Sequence, residues 1–269
     1  PLADIGQEAT GSMGDDTPMP VMSQQNRSIY DYFRQQFAQV TNPAIDSLRE
    51  SSVMSLEVCI GEERNIFEES PKHADRLILN SPILDRQTFE GIVNNDLKEY
   101  SNDRIDLNYD YTIDLEEAIN TISDRAVRSV KKGNNLIILS DKQINKDKLV
   151  IPAPMAIGAV HHKLIAEGLR CDTNIIVESG SARNPHHFAV LIGYGATAIY
   201  PYLAFEIIRE LSERKANPTN IYGDSVSNYV RGINKGLLKI MSKMGISCIP
   251  SYRGAQLFEL VGLDSNIVD

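Results

Sequence analysis

The sequence predicts an α/β protein with a (β/α) barrel-like fold, incomplete or irregular in outline, and three observations carry that expectation. Two apolar runs, "NLIILSD" at 135–141 and "NIIVESG" at 174–180, have the length of strands buried on both faces, the condition of a parallel sheet. Helical and strand-like stretches alternate along most of the chain, which implies parallel pairing through right-handed crossovers. The number of such units favours a relative of the TIM barrel over a three-layer sandwich. Composition agrees, since 269 residues with 42% hydrophobic and 23% charged side chains make an ordinary globular chain of one or two domains.

Residues 1–28 are rich in Gly and Pro and lack a sustained apolar period, so they are expected to drape as an extended segment over the surface of a barrel-like domain at 29–269. Over 28–40, Ile29, Phe33, Phe37 and Val40 recur at helical spacing, and Asn42-Pro43 would stop the helix they predict. A second short helix is expected at 46–58, closed by Gly61, and "RLILNSPIL" at 76–84 reads as a strand and turn. Alternation of Ile105, Leu107 and Tyr109 makes 104–110 a strand. Asp114 is then an N-cap with Glu117 three residues on, and Leu115, Ile119, Ile122, Ala126 and Val130 give one helix face before Gly133 ends it. Helices at 156–167, 185–192, 202–212 and 225–245 follow, with a short strand at 197–200. The chain is expected to close with a strand, "ISCIP" at 246–250, and a helix, "AQLFELVG" at 255–262.

Lys plus Arg 27 against Asp plus Glu 36 leaves a net charge of −9, which opposes a phosphate-backbone footprint, so no nucleic-acid partner is expected. No apolar run approaches the roughly 20 residues of a membrane span, and no signal-peptide pattern opens the chain. A soluble cytoplasmic protein is the expectation. The chain starts at Pro1, which suggests an excised segment. Cys59, Cys171 and Cys248 are far apart and supply neither a disulfide framework nor a metal-ligand spacing.

Function in a parallel α/β fold sits at the carboxyl ends of strands, which directs attention to 139–144, 178–187 and 250–256. The second is the densest: Glu178, Ser179, Arg183, His186 and His187 provide an acid, a cation and two imidazoles, enough for acid–base chemistry. The competing reading is a structural hydrogen-bond network in a loop that Pro185 ends by starting a helix. Neither His161-His162 nor His186-His187 suits one metal ion, because adjacent helical residues point about 100° apart. In each pair one imidazole is expected inward and one outward. "GYGATA" at 193–198 fits a dinucleotide-loop string, but helix precedes it and strand follows, so its glycines suit a helix end and a turn. "GSMGDDTP" at 11–18 lacks the Lys of a phosphate loop, and Lys235, Lys239 and Lys243 read as a solvated helix face.

Five long strings change this picture: "GSMGDDTPMPVMS", "YDYFRQQFAQVTNPAIDSLRE", "VMSLEV", "VESGSARNPHHFAVLIGYGATAIYPYLAFE" and "NYVRGINKGLLKIMSKMGISCIPSYRGAQLFELVGL". In this order they resemble the central domain of the large subunit of glutamate synthase. Residues 60–148 match more loosely. The resemblance implies a parent chain with an N-terminal glutaminase domain that uses a cysteine nucleophile, this central domain, and an FMN-binding barrel with a 3Fe-4S cluster. Ammonia passes inside that parent from the first site to 2-oxoglutarate at the flavin. It also implies a noncatalytic connecting role here, with no cofactor and no catalytic residue in this segment. Glu178, Ser179, Arg183, His186, His187, Tyr252, Arg253 and Gln256 then become candidate contacts to the glutaminase and FMN-binding domains. The alternative is a barrel that binds flavin or a phosphate-bearing ligand at 178–187 and 251–256. The parent's electron donor, NADPH, NADH or ferredoxin, is left open.

Overall fold

The computed structural model describes residues 1–8, 18–36, 50–214 and 222–268. Along the chain, helix α1 (Leu2–Ile5) precedes a 3₁₀ turn at Pro20–Met22, a second at Ile29–Tyr32, and strand β1 (Phe33–Gln35). Helix α2 (Glu50–Val53), strands β2 (Val58–Ile60) and β3 (Leu77–Leu79), helix α3 (Arg86–Val93), and strands β4 (Asn102–Asp106) and β5 (Asn108–Asp110) come next. They are followed by α4 (Leu115–Lys131), β6 (Leu136–Ser140), β7 (Lys148–Val150), α5 (Ala153–Ala166), β8 (Asn174–Glu178), α6 (Pro185–Gly193), β9 (Ala198–Tyr200) and α7 (Tyr202–Arg214). The chain closes with α8 (Tyr222–Met244), β10 (Phe258–Leu260) and α9 (Ser265–Val268).

The centre is a four-stranded parallel sheet in the order β4-β6-β8-β9. Every side chain of β6 and β8 is buried, as expected for strands covered by helices on both faces. One row across the sheet joins Ile105, Leu139, Val177 and Ile199, and a parallel bridge extends it to Ile83. Ile83 is held by two bonds, Ile199 N–H to the Pro82 carbonyl at 2.7 Å and Leu84 N–H to the Ile199 carbonyl at 2.9 Å. Among the described residues the sheet stops there and does not close, so the incomplete barrel is borne out. Helices pack outward from it: α4 on α5, α5 on α6, and α6 and α7 on α8. At the N-terminus α1 lies against α8, where Asn228 and Arg231 side chains donate to carbonyls of residues 4 and 5 at 3.0 and 3.2 Å.

Helix 114–133 forms as its periodicity demands, burying Ala118, Ile122, Ala126, Val127 and Val130, and Gly133 at φ 94° releases the chain. The Asp114 side chain makes no capping bond, however, so the expected capping box is not realised. A cap does form at α3, where Asp85 accepts the Thr88 N–H at 2.7 Å, although sequence reading assigned no helix there.

Five expected elements are corrected, most of them by a long-range partner. The helix expected at 28–40 is a 3₁₀ turn and a strand, because β1 pairs antiparallel with β10 more than two hundred residues away. Phe33 is buried against Tyr194 and Phe258, and Phe37 and Val40 lie outside the described residues. The same pairing turns the helix expected at 255–262 into a strand, bounded by positive-φ residues Gly254, Gln256 and Gly262. The strand expected at 246–250 reduces to a single bridge between Cys248 and Ser55 followed by a 3₁₀ turn, Ile249–Ser251, since Pro250 has no N–H for a ladder. Within the range 46–58 the described helix is α2 alone, and the chain then extends through the Ser55 bridge into β2; residues 46–49 lie outside the described set. The strand at 104–110 is two strands, with Leu107 N–H bonding the Ser140 carbonyl at 2.9 Å before β5 leaves to pair with β7.

Ile122 is 6% exposed on the buried face of α4. Ile122→Asp would place an unpaired charge there, and a loss of about 3 kcal/mol or more is expected. The urea midpoint checks this; an unchanged midpoint contradicts the face assignment.

Candidate functional site

The row Asp106, Ser140, Glu178 and Tyr200 marks the carboxyl ends of the four parallel strands. Glu178 is 0% exposed, so its carboxylate must be compensated from within. Arg104, two residues before Asp106 and thus on the same face of the sheet, donates from Nη2 to Glu178 Oε2 and to Ser140 Oγ at 3.2 Å. Ser140 Oγ donates to the same Oε2 at 2.7 Å, and Lys142 Nζ stands 3.5 Å from Oε1. Asp141 is the second buried carboxyl: Ser179 Oγ donates to its Oδ2 at 2.7 Å and the Gly180 N–H to its Oδ1 at 2.9 Å. The Tyr202 hydroxyl also bonds Asp141. Burial pushes the Asp141 carboxyl up against these bonds, and burial with Asp141 beside it pushes the Tyr202 phenol up.

The network continues through the loop. Ser179 Oγ and Ser181 Oγ are 2.9 Å apart, and the Tyr30 hydroxyl lies 3.0 Å from Ser181 Oγ. Tyr30 stacks on His187 with ring centroids 4.2 Å apart, and its carbonyl lies 2.9 Å from His186 Nε2. His187 is buried and His186 half-buried, the inward and outward pair expected. Burial, followed by His186, brings His187 down to about 4, so it is neutral at pH 7. Asn184 caps α6 by accepting the His187 N–H at 3.1 Å. Arg183 extends into solvent while its carbonyl accepts from the Tyr229 hydroxyl at 3.0 Å. The sequence reading missed Tyr30, Arg104 and Tyr202, which reach this loop from three other elements.

Tyr252, Arg253 and Gln256 do not join this loop, and the expectation that 251–256 shares the carboxyl end is corrected. Ile249–Ser251 is not a sheet strand and has no such end to offer. The segment lies instead at the amino ends: Gly254 N–H bonds the Gly193 carbonyl at 2.9 Å, and Arg253 Nη1 donates to Thr197 Oγ1 at 2.9 Å just before β9. Tyr252 is buried, with its hydroxyl 3.3 Å from Gln35 Oε1, and Gln256 is exposed at φ 55°. Beside them Arg170 donates to His161 Nδ1 at 2.9 Å and to the Thr173 and Gly195 carbonyls at 2.7 and 2.9 Å. Gly193 ends α6, and Gly195 turns at φ 117° where a Cβ would meet the His161 ring, which is the helix-end and turn role read for "GYGATA".

Among the described residues no group of three or more His, Cys, Asp or Glu could hold a metal ion. A Cβ on Gly180 would lie 2.8 Å from the Tyr202 hydroxyl, the Tyr30 hydroxyl contacts Ser181, and Asn184 takes the His187 N–H at the start of α6. The arrangement fixes the loop.

Comparison with known proteins gives the family. The profile described as "Glutamate synthase central domain" matches residues 1–264. The chain belongs to the glutamate synthase central domain family. Among curated relatives it is 44% identical over 281 residues to the chloroplastic ferredoxin-dependent glutamate synthase of Spinacia oleracea, covering 100% of this chain and 17% of that protein. It is 42% identical over 273 residues to the glutamate synthase [NADPH] large chain of Bacillus subtilis (strain 168), covering 100% of this chain and 18% of that protein. With the glutamate synthase [NADH] of Saccharomyces cerevisiae the figures are 40% over 281 residues, 100% and 13%. This central domain therefore spans less than a fifth of the relatives it matches. Among solved structures, a flavocytochrome b2 mutant with pyruvate bound overlaps 51% of this chain and 33% of its own, at 14% identity and TM-score 0.41.

Two measurements follow. Arg104 is 37% and Lys142 51% exposed in their side chains, whereas Glu178 has no exposure, so removing the cation strands a buried charge and removing the acid does not. Arg104→Met is expected to cost about 3 kcal/mol and Glu178→Gln clearly less, as read by urea denaturation. His187 sits below its ordinary value, so the unfolded chain takes up its proton first. Its contribution to stability is full above about pH 6.5 and falls as pH drops toward about 4. Between pH 7 and 5, wild type should lose more stability than His187→Phe; parallel curves contradict a neutral buried imidazole.

Proposed function

We propose that the chain is a noncatalytic connecting domain of a glutamate synthase, holding a glutaminase domain and an FMN-binding synthase domain in fixed relation and helping to wall the ammonia route between them. The observation that carries this is the burial of the polar groups at the carboxyl end of the sheet. Where a parallel α/β enzyme opens its site, this chain fills the space with Glu178, Ser179 and Asp141, bonded to its own side chains. The FMN and 3Fe-4S cluster of the parent belong on this reading to other domains; the thiols of Cys59, Cys171 and Cys248 are free. Relatives named for ferredoxin, NADPH and NADH match this segment about equally, which supports donor selection elsewhere. Enclosure from water is the physical requirement of the route, because ammonia that escapes is protonated in bulk solvent.

The surface supports packing against other domains. Leu203, Ile207 and Leu211 recur at i, i+4 and i+8 on α7 and are 41%, 42% and 50% exposed. Leu203 lies next to Gly180, so this stripe continues from the loop at 178–187. Exposed Arg183 sits on that loop as a contact to a partner domain, whereas Glu178, Ser179 and His187 support it from beneath. Among the described residues no helix is long and apolar enough to cross a membrane. The cytoplasm is the proposed compartment, although the Spinacia relative is named chloroplastic.

The isolated chain is expected to show neither glutaminase nor glutamate-forming activity, and either one in protein free of host enzyme contradicts the connecting role. Arg183→Ala should change the stability of the isolated chain by well under about 1.5 kcal/mol. In the full-length enzyme it should cost about 2 to 5 kcal/mol at the interface and alter the ratio of glutamine hydrolysed to glutamate formed. A strongly destabilised isolated chain with an unchanged ratio would make Arg183 an internal structural residue.

A further inference from the structure

At the amino ends of the strands the fold gathers guanidinium groups that it does not neutralise. Arg76 and Arg253 share one carboxylate: Glu63 Oε1 stands 3.6 Å from Arg76 Nη2 and 3.8 Å from Arg253 Nη2. Both separations exceed the roughly 2.8 Å of a charge-assisted hydrogen bond, so Glu63 balances two cations at a distance and is bonded closely to neither. Arg76 Nε is buried without a hydrogen-bond partner among the described residues. Behind them Arg170 spends its donors on His161 and two carbonyls and forms no ion pair among the described residues. Burial, followed by the neighbouring Arg253, pulls Arg170 down to about 10, and Arg253 is lowered by burial as well. Arg64 pairs with Glu62 at 3.3 Å, and Asp172 lies beside Glu62, so Arg64 is already matched by carboxylates. The uncompensated charge is concentrated around Glu63.

Arg76 and Glu63 border a cavity of about 500 Å³ whose wall also includes Glu62, Arg64, His73 and Cys171. Arg76 also reaches the Cys59 carbonyl at 3.3 Å, which anchors its guanidinium at the wall. Fixed guanidinium forks, partly withdrawn from water and short of counter-ions, are the donor set that carboxylate and phosphate groups select. We propose that this cavity binds a small oxyanion, a carboxylate- or phosphate-bearing metabolite, through Arg76, with Arg253 and Arg170 adding positive potential from behind and Glu63 as the counter-ion it displaces. The site lies at the opposite end of the sheet from the Glu178 network and is independent of the connecting role.

Isothermal titration of this chain at low chloride, with inorganic phosphate and with malonate as separate probes, tests it. At least one probe should bind saturably, and the stronger one tells phosphate from carboxylate. Arg76→Gln should weaken that probe about tenfold, while Glu63→Gln should tighten it several-fold by removing the competing carboxylate. Misfolding could not produce these opposite signs. Exposed Cys171 gives a local readout: peptide-resolved alkylation by neutral iodoacetamide should slow at Cys171 when the probe is bound and stay constant at exposed Cys248, which is outside the cavity wall. The proposal is overturned if neither probe saturates below about 10 mM, if Glu63→Gln weakens binding, if Arg76→Gln leaves it unchanged, or if Cys171 and Cys248 respond alike.

Discussion

A carboxylate with no exposure at the end of a core strand sets the terms for everything around it. Glu178 can occupy that position only if cations and donors reach it inside the fold, because an uncompensated charge there would cost several kcal/mol, comparable with the whole stability of a domain at about 5–15 kcal/mol. Arg104 from β4, Ser140 from β6 and Lys142 from the loop after β6 supply them, so the charge ties neighbouring parallel strands into one register. A slip of one residue would turn Glu178 to the other face and away from these partners.

The second carboxyl extends the same logic outward. Asp141 accepts from Ser179, Gly180 and Tyr202, which fastens the loop after β8 to the loop after β6 and to the start of α7. Tyr30 then clamps Ser181 and His187 from a segment that precedes the sheet in sequence. Polar groups this dense are usually a sign of reaction chemistry, but here both Asp141 oxygens and Glu178 Oε2 accept from internal donors, while the buried Oε1 has only Lys142 nearby at 3.5 Å. Rigidity of that kind suits the connecting role proposed above.

The two ends of the sheet differ in electrostatic design. At the carboxyl end buried acids are matched by cations; at the amino end Arg76, Arg170 and Arg253 crowd around a single glutamate. The chain's net charge of −9 conceals this local excess, which arises only because β2, the 3₁₀ turn at Arg170–Asp172 and the turn at Arg253 converge.

What the sequence determined by itself were the elements whose burial pattern is local. The apolar runs at 136–140 and 174–178 and the periodic helix 115–131 need only their own residues to declare their type. The loop at 178–187 was legible as a polar concentration, and Gly193 and Gly195 as a helix end and a turn, for the same reason. The tertiary structure alone decided the rest. Ile29 and Phe33 fit a helical period equally well as a turn and a strand, and β10 settled the matter from the far end of the chain. The apolar residues at 257–260 had the same ambiguity and the same resolution. Arg104, Tyr30 and Tyr202 gave no local sign of belonging with Glu178 and Ser181, since their link is the register of parallel strands and the crossover of a distant segment. Periodicity records which face a residue turns to the core, whereas pairing partners and ion-pair networks depend on which segments meet there.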